Sequence, residues 1–527
     1  MIMHRRLPRR AAGTTVVCAV AAAGLWSAQV AQAASAPAVV DVPCSARSLA
    51  SDMSSATSGE TVSLTARCTY QLTAGLPVVS QDLTIAGNGA TLRRSGAPAT
   101  PAFTILSVAD SSALAVSDLN FVNGDGAISV TGGSTSLTVQ GGRFAGNNAS
   151  NGGAIYNNTG MGNLSVTGAT FIHNTATGAG GAIYTGPLGG NLSVTGDAFT
   201  GNTAGGDGGA IFDFNINGGN VEGSFYRNKA ADGGAVLEST IGGGVVAGVF
   251  HANTATYNGG AIDSVYAYVK AEGTISGNHA GNDGGGIYTG FMQYENVGMT
   301  LTATVRGNSA ENGGGIYSQD SIADLTSSTI DNNDATVDGG GIYNNQAGNG
   351  YGTVNLETSK VSRNNAGADG GAIYTLGSLA TVTASGTQIV NNTAASGGGI
   401  YDSSGGTVTL TNSPVLYNKP DNCEPPGAIT GCTSSAQHTA GRSSSVHAVK
   451  NRNTATRQAQ LIPRHKCPVQ PSHRTPWHLF TGQAINAGRS LAKPREDTVA
   501  DAGSIPGTVF PAWLVSRSRR PASGHRT

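Results

Sequence analysis

Short stretches of this chain alternate apolar and hydroxyl side chains, as in Leu83-Thr84-Ile85, Leu137-Thr138-Val139 and Leu164-Ser165-Val166-Thr167. A period of two predicts strands with one buried face. After each stretch comes a large apolar residue with Asn three positions on, then a glycine pair, then an aliphatic residue flanked by Ala or Gly and usually Tyr. One complete unit runs Leu164 to Tyr184, through Phe171, Asn174, Gly180 and Gly181. The residue after each glycine pair falls at 154, 182, 210, 235, 261, 286, 315, 341, 372 and 399, in steps of 25 to 31 residues. Ten copies at a near-constant step predict a repeat architecture in which no single coil buries its own face.

Within a unit each position has a physical task. Ile155, Ile183, Ile211, Val236, Ile262, Ile287, Ile316, Ile342, Ile373 and Ile400 are always aliphatic and are placed inward, which sends the following Tyr or its equivalent outward. The asparagines (Asn147, Asn174, Asn202, Asn228 and onward to Asn392) stand at a turn, where an amide can bond backbone groups and the same amide one coil above. The glycine pair supplies positive φ or a close backbone approach.

The two linked motifs, Gly-Gly-Ala-Ile and Phe-x-x-Asn, resemble the repeats of the polymorphic outer-membrane-protein family, bacterial surface adhesins. The likeness covers roughly residues 120 to 420. It implies an all-β, right-handed parallel β-helix of the pectate-lyase-like shape, with about ten full coils preceded by degenerate ones. At about 4.8 Å per coil the rod would be on the order of 60 Å long. The expected organisation is a signal peptide over 1–33, a β-helix domain over 34–432 and a disordered basic tail over 433–527. Within the domain, 44–68 form an N-terminal cap, 144–418 the repeats and 419–432 a disulfide-closed end. The tail shows no alternating strands, so the C-terminal barrel of the resembled family is not expected there.

Composition agrees with a turn-dense β protein: 78 of 527 residues are Gly, without a collagen triplet. Arg5, Arg6, Arg9 and Arg10, an apolar run and Ala31-Gln32-Ala33 read as a secretory signal, leaving no transmembrane segment after its removal. Residues 34–432 hold 12 Lys and Arg against 28 Asp and Glu, whereas 433–527 hold 14 against 3. So acidic a body is a poor partner for nucleic acid. The simplest pairing of the exported cysteines is Cys44–Cys68 and Cys423–Cys432, the longer loop contributing about 3 kcal/mol by the chain-entropy estimate.

Three rows carry candidate chemistry. Tyr156, Tyr184, Phe212, Tyr288, Tyr317, Tyr343, Tyr374 and Tyr401 form an aromatic stripe on which a sugar chain could stack, though stacked rings also stabilise a coil by themselves. The stripe breaks at Leu237 and Asp263. Near that gap Asp213 and Glu238 occupy equivalent positions one coil apart, and with Asp263 and Lys229 they are the candidate catalytic set for glycosidic cleavage or uronate elimination. Solvent-facing carboxylates on an acidic solenoid are the plainer account. The third row precedes the glycines: Asp207 beside Asp232 and Asp338 beside Asp369 are candidate Ca²⁺ ligands, although Asp-Gly is also ordinary turn chemistry.

The reading favours a secreted or cell-wall-associated adhesion module that binds polysaccharide or extracellular matrix, with no cofactor required beyond optional Ca²⁺. The alternatives are a polysaccharide lyase or glycoside hydrolase, and a structural wall protein without ligand.

Overall fold

The computed structural model describes residues 38–433 apart from 110, 161, 188–189, 216, 241, 291–297 and 349–351. The signal segment expected over 1–33 and the tail beyond Thr433, including Cys467, lie outside the described residues.

The alternating stretches are strands, and every pairing between them is parallel. One coil can be followed through Ile155–Thr159, Leu164–Thr167, Thr170–Ile172 and Thr175–Ala176, after which Ile183–Thr185 pairs with Ile155–Asn157 one coil on. Repetition of this path builds a β-solenoid. Among the described residues its glycine-side wall is a thirteen-stranded parallel sheet from Leu106–Val108 to Cys423–Glu424. A nine-stranded sheet of two-residue strands runs from Asn148–Ala149 to Asn365–Ala366, and the hydroxyl-alternating strands make the remaining wall. The middle coils carry longer strands, such as Leu192–Thr200 and Tyr268–Ser276, where the others break in two.

The lumen is filled by aligned side chains. The large apolar residue preceding each Asn points inward: Phe121, Phe144, Phe171, Phe199, Phe225 and Phe250 are fully buried and stack with centroids 4.7–5.0 Å apart. Ile275, Val305, Ile330, Val361 and Ile389 continue the column as aliphatics. Beside it runs the asparagine ladder, in which each Nδ2 donates to the Oδ1 of the next coil. The Asn174–Asn202 and Asn253–Asn278 rungs both measure 3.0 Å. The same amide group donates to a main-chain carbonyl, Asn253 Nδ2 to Phe225 O at 3.0 Å, while the next Oδ1 also accepts a main-chain N–H. Turn groups that would otherwise be orphaned are thereby satisfied without water.

The two glycines of the pair differ. Gly180 sits at φ +66, in left-handed space that a Cβ disfavours. At Gly181 a Cβ would lie 2.8 Å from the Thr203 backbone of the next coil, so here the constraint is proximity.

The N-terminal end is covered by the helix Ala46–Ser55, which buries Leu49 and Met53, one turn apart on the same face, and starts at Ser45, whose side chain accepts from Ser48 N. Disulfides join Cys44 to Cys68 and Cys423 to Cys432, with Cα atoms 5.7 and 6.3 Å apart. Among the described residues no helix is long and apolar enough to cross a membrane.

Candidate functional site

The thirteen-stranded wall carries all the aromatic candidates and the acidic candidates Asp213, Glu238 and Asp263, and alternation along its strands decides where each one points. Ile155 and its equivalents face the lumen; Tyr156 and its equivalents face away. The aromatic file is in register, Tyr156 over Tyr184 over Phe212 and, after the break, Tyr288 through Tyr317, Tyr343 and Tyr374 to Tyr401. Its exposure differs from the expected stripe. Tyr288, Tyr317, Tyr343 and Tyr374 are only 6–8% exposed, and Val265 and Leu376 pack against them. Centroids 4.7–5.5 Å apart show that the ring faces are spent on one another. Two hydroxyls are also engaged, Tyr288 donating to Gln319 at 2.8 Å and Tyr317 accepting from Asn345 at 2.8 Å. Burial, reinforced by the Asp283 charge, raises the Tyr317 phenol above its usual value. Tyr156, Tyr184, Phe212 and Tyr401 are half-buried and so remain partly open to solvent.

The residue after the tyrosine returns to the lumen. In order these are Asn157, Thr185, Asp213, Glu238, Ser264, Thr289, Ser318, Asn344, Thr375 and Asp402, all buried. A file of polar side chains therefore runs inside the solenoid, beginning where the preceding coils have Val108 and Val130. The sequence reading missed it, although the signal was present: ten successive positions two residues beyond an inward aliphatic, none of them apolar.

Asp213 and Glu238 are neighbours in register, as their equivalent positions imply, but both have 0% exposure. Solvent-facing carboxylates are thus not what stands here. Asp213 Oδ1 accepts from Thr185 Oγ1 and from Asn215 Nδ2 at 2.6 Å, and Glu238 Oε1 accepts from Thr240 Oγ1 at 3.0 Å. Asp213 Oδ2 and Glu238 Oε2 have no hydrogen-bond partner. Burial pushes Asp213 up to about 6; burial, then the Asp213 charge, raises Glu238 well above the usual glutamate range.

The remaining catalytic candidates are not gathered round this pair. Asp263 aligns with Leu237 and Tyr288, one position earlier, in the tyrosine file. Lys229 belongs to the nine-stranded sheet, aligned with Thr203 and Thr254, and its side chain is exposed. In the third row Asp207 and Asp232 lie in adjacent coils, as do Asp338 and Asp369, bridged by Gly208 N to Asp232 O and Gly339 N to Asp369 O. All four residues are half-buried, and two of the carboxylates are used in the turns: Asp232 Oδ1 accepts from Asn258 N at 2.8 Å and Asp338 Oδ1 from Asp369 N at 2.9 Å. Among the described residues no three His, Cys, Asp or Glu side chains are grouped to hold a metal.

With the coil geometry in hand, the comparison with known families is direct. Residues 168–186, 198–213 and 272–290 match the Chlamydia polymorphic membrane protein repeat. Parts of the chain are thus similar to that repeat. The matched segments cover the elements that build a coil: 168–186 holds Phe171, Asn174 and the Gly180–Tyr184 motif, and 272–290 holds Ile275, Asn278 and Gly284–Tyr288. In this chain the matched segments lie on turns of a parallel solenoid, with the Phe and Asn positions inside and the glycines at the corner. No curated protein matches the chain.

Proposed function

We propose that this chain is a surface or extracellular adhesion module that holds a polysaccharide or matrix polymer against its outer wall without cleaving it. The observation that carries this reading is the repeat match on a solenoid whose paired acids face inward. Polymorphic membrane proteins are autotransporter-like surface proteins and adhesins. An acid that must protonate a glycosidic oxygen has to reach within hydrogen-bond distance of it, and fully buried Asp213 and Glu238 have no such access. The rings Tyr156, Tyr184, Phe212 and Tyr401, towards the two ends of the aromatic file, are half-buried, and a partly open aromatic ring is a surface on which a sugar can stack.

The test is to incubate the full-length chain with a panel of plant, microbial and animal polysaccharides, recording retained protein and polymer length together. Retention without shortening is expected, reduced at least about threefold by Tyr184→Ala with Tyr401→Ala. Shortened polymer, or unsaturated ends, would overturn the reading in favour of an enzyme.

A further inference from the structure

The carboxylates of Asp213 and Glu238 are accompanied by a second change in the same two coils. The position that opens the next strand is a buried aliphatic in neighbouring coils, Leu164 and Leu192 before and Val269 and Met299 after. In register with these, the two acidic coils carry Gly219 and Gly244. A Cβ at Gly219 would collide with Asp213 Oδ2, and one at Gly244 would lie 2.7 Å from Glu238 Oε1. The carboxylates thus occupy space that aliphatic side chains fill elsewhere. On the outside, the same glycines line a shallow depression with Gly218, Gly242 and Gly243, rimmed by Lys270.

We propose that Asp213 and Glu238 form an internal binding site for a single hard divalent cation, Ca²⁺ in size, reached through this glycine-lined depression. Two carboxylates stand side by side in the lumen, and each keeps one oxygen without a partner while its other oxygen is held by hydrogen bonds. The described residues contain two ion pairs, Lys270–Glu272 and Arg363–Asp331, and neither reaches this pair. Buried charge of one sign with no protein counter-charge is costly, and a divalent ion neutralises both groups at once. Ser264 Oγ, unpartnered in the next coil of the file, extends the all-oxygen surroundings that suit a hard ion. Carboxylate and hydroxyl oxygens are the ligands Ca²⁺ takes in flexible geometry, whereas Mg²⁺ demands a near-ideal octahedron and keeps its waters.

The experiment uses the full-length chain, stripped of metal and then titrated with Ca²⁺, with bound ion counted by equilibrium dialysis and melting followed in Ca²⁺ and in chelator. The expected result is about one Ca²⁺ per chain and a melting temperature several degrees higher in Ca²⁺. Both are lost in Asp213→Asn with Glu238→Gln. No bound Ca²⁺ in the wild-type chain would overturn the proposal, as would binding undiminished in the double variant, which would move the ion to the Asp207, Asp232, Asp338 and Asp369 turns. Should that variant not fold, Tb³⁺ luminescence on the wild type decides. A long lifetime from an ion stripped of most of its water supports an internal site, and the lifetime of a largely hydrated ion refutes it. None of these readouts depends on polymer binding.

Discussion

Two files of polar side chains run through the interior of this solenoid, and they meet the cost of burial in opposite ways. In the asparagine ladder every amide both donates and accepts, so the file closes on itself coil after coil. In the file containing Asp213 and Glu238, chemistry changes from coil to coil, and polar atoms of Asn157, Asp213, Glu238, Ser264, Thr289 and Asn344 are left without a partner. A repeated amide satisfies itself because it carries donor and acceptor in one planar group. A carboxylate above a carboxylate has only acceptors, so its burial requires a proton or a cation. The ladder is therefore scaffold, and the irregular file is where a ligand has something to gain.

The largest expected effect comes from breaking the closed file. Asn253→Ala removes the acceptor for Asn228 N and Nδ2 and the donor to Phe225 O and Asn278 Oδ1, all buried. Chemical denaturation should show a loss of about 3–5 kcal/mol. A loss below about 1 kcal/mol would mean that the ladder follows the coil rather than holding it.

The open file sharpens the comparison through pH. Asp213 is raised to about 6 and Glu238 is raised as well, so the folded state holds their protons more tightly than the unfolded chain. The stability this brings is fully present below the unfolded values near pH 4 and is lost as pH rises through about 6. In chelator, then, stability should fall between about pH 4 and pH 7, by on the order of 3 kcal/mol for Asp213 alone, and the melting temperature should fall with it. Asp197, raised to about 7 by burial, and Asp283, raised to about 6, add to the same trend. Asp213→Asn with Glu238→Gln should flatten the fall without abolishing it, and Ca²⁺ should flatten it in the wild type. An unchanged slope in the double variant would assign the trend to the other carboxylates that burial raises, Asp197 and Asp283 with Asp338, Asp369 and Asp421.

The smallest effect belongs to the outer wall. Tyr317→Phe keeps the stacked ring and loses only the bond from Asn345, so thermal melting should register about 1 kcal/mol or less. Tyr317→Ala should cost several times more, because neighbouring rings 5.5 and 4.8 Å away lose a packing partner.

Much of this molecule was legible from the chain alone. The step between glycine pairs, the inward aliphatic from Ile155 to Ile400 and the amide of the Phe-x-x-Asn motif are local properties, repeated often enough that stacking them leaves one arrangement. The solenoid and its asparagine ladder follow from period and alternation, because parallel strands in register place like residues on like residues. Alternation assigns a side chain to a face but does not say what covers that face. So the tyrosines were placed correctly as pointing away from the lumen, and their burial beneath Val265, Leu376 and one another emerged only from the packed wall. The same rule turned Asp213 and Glu238 inward. Their meaning depends on Gly219 and Gly244, a few residues further on, which make room inside the lumen. That exchange of aliphatic volume for carboxylate volume exists only in three dimensions, since it is the shared space of two walls, not the spacing of residues along one strand, that couples the acid to the glycine.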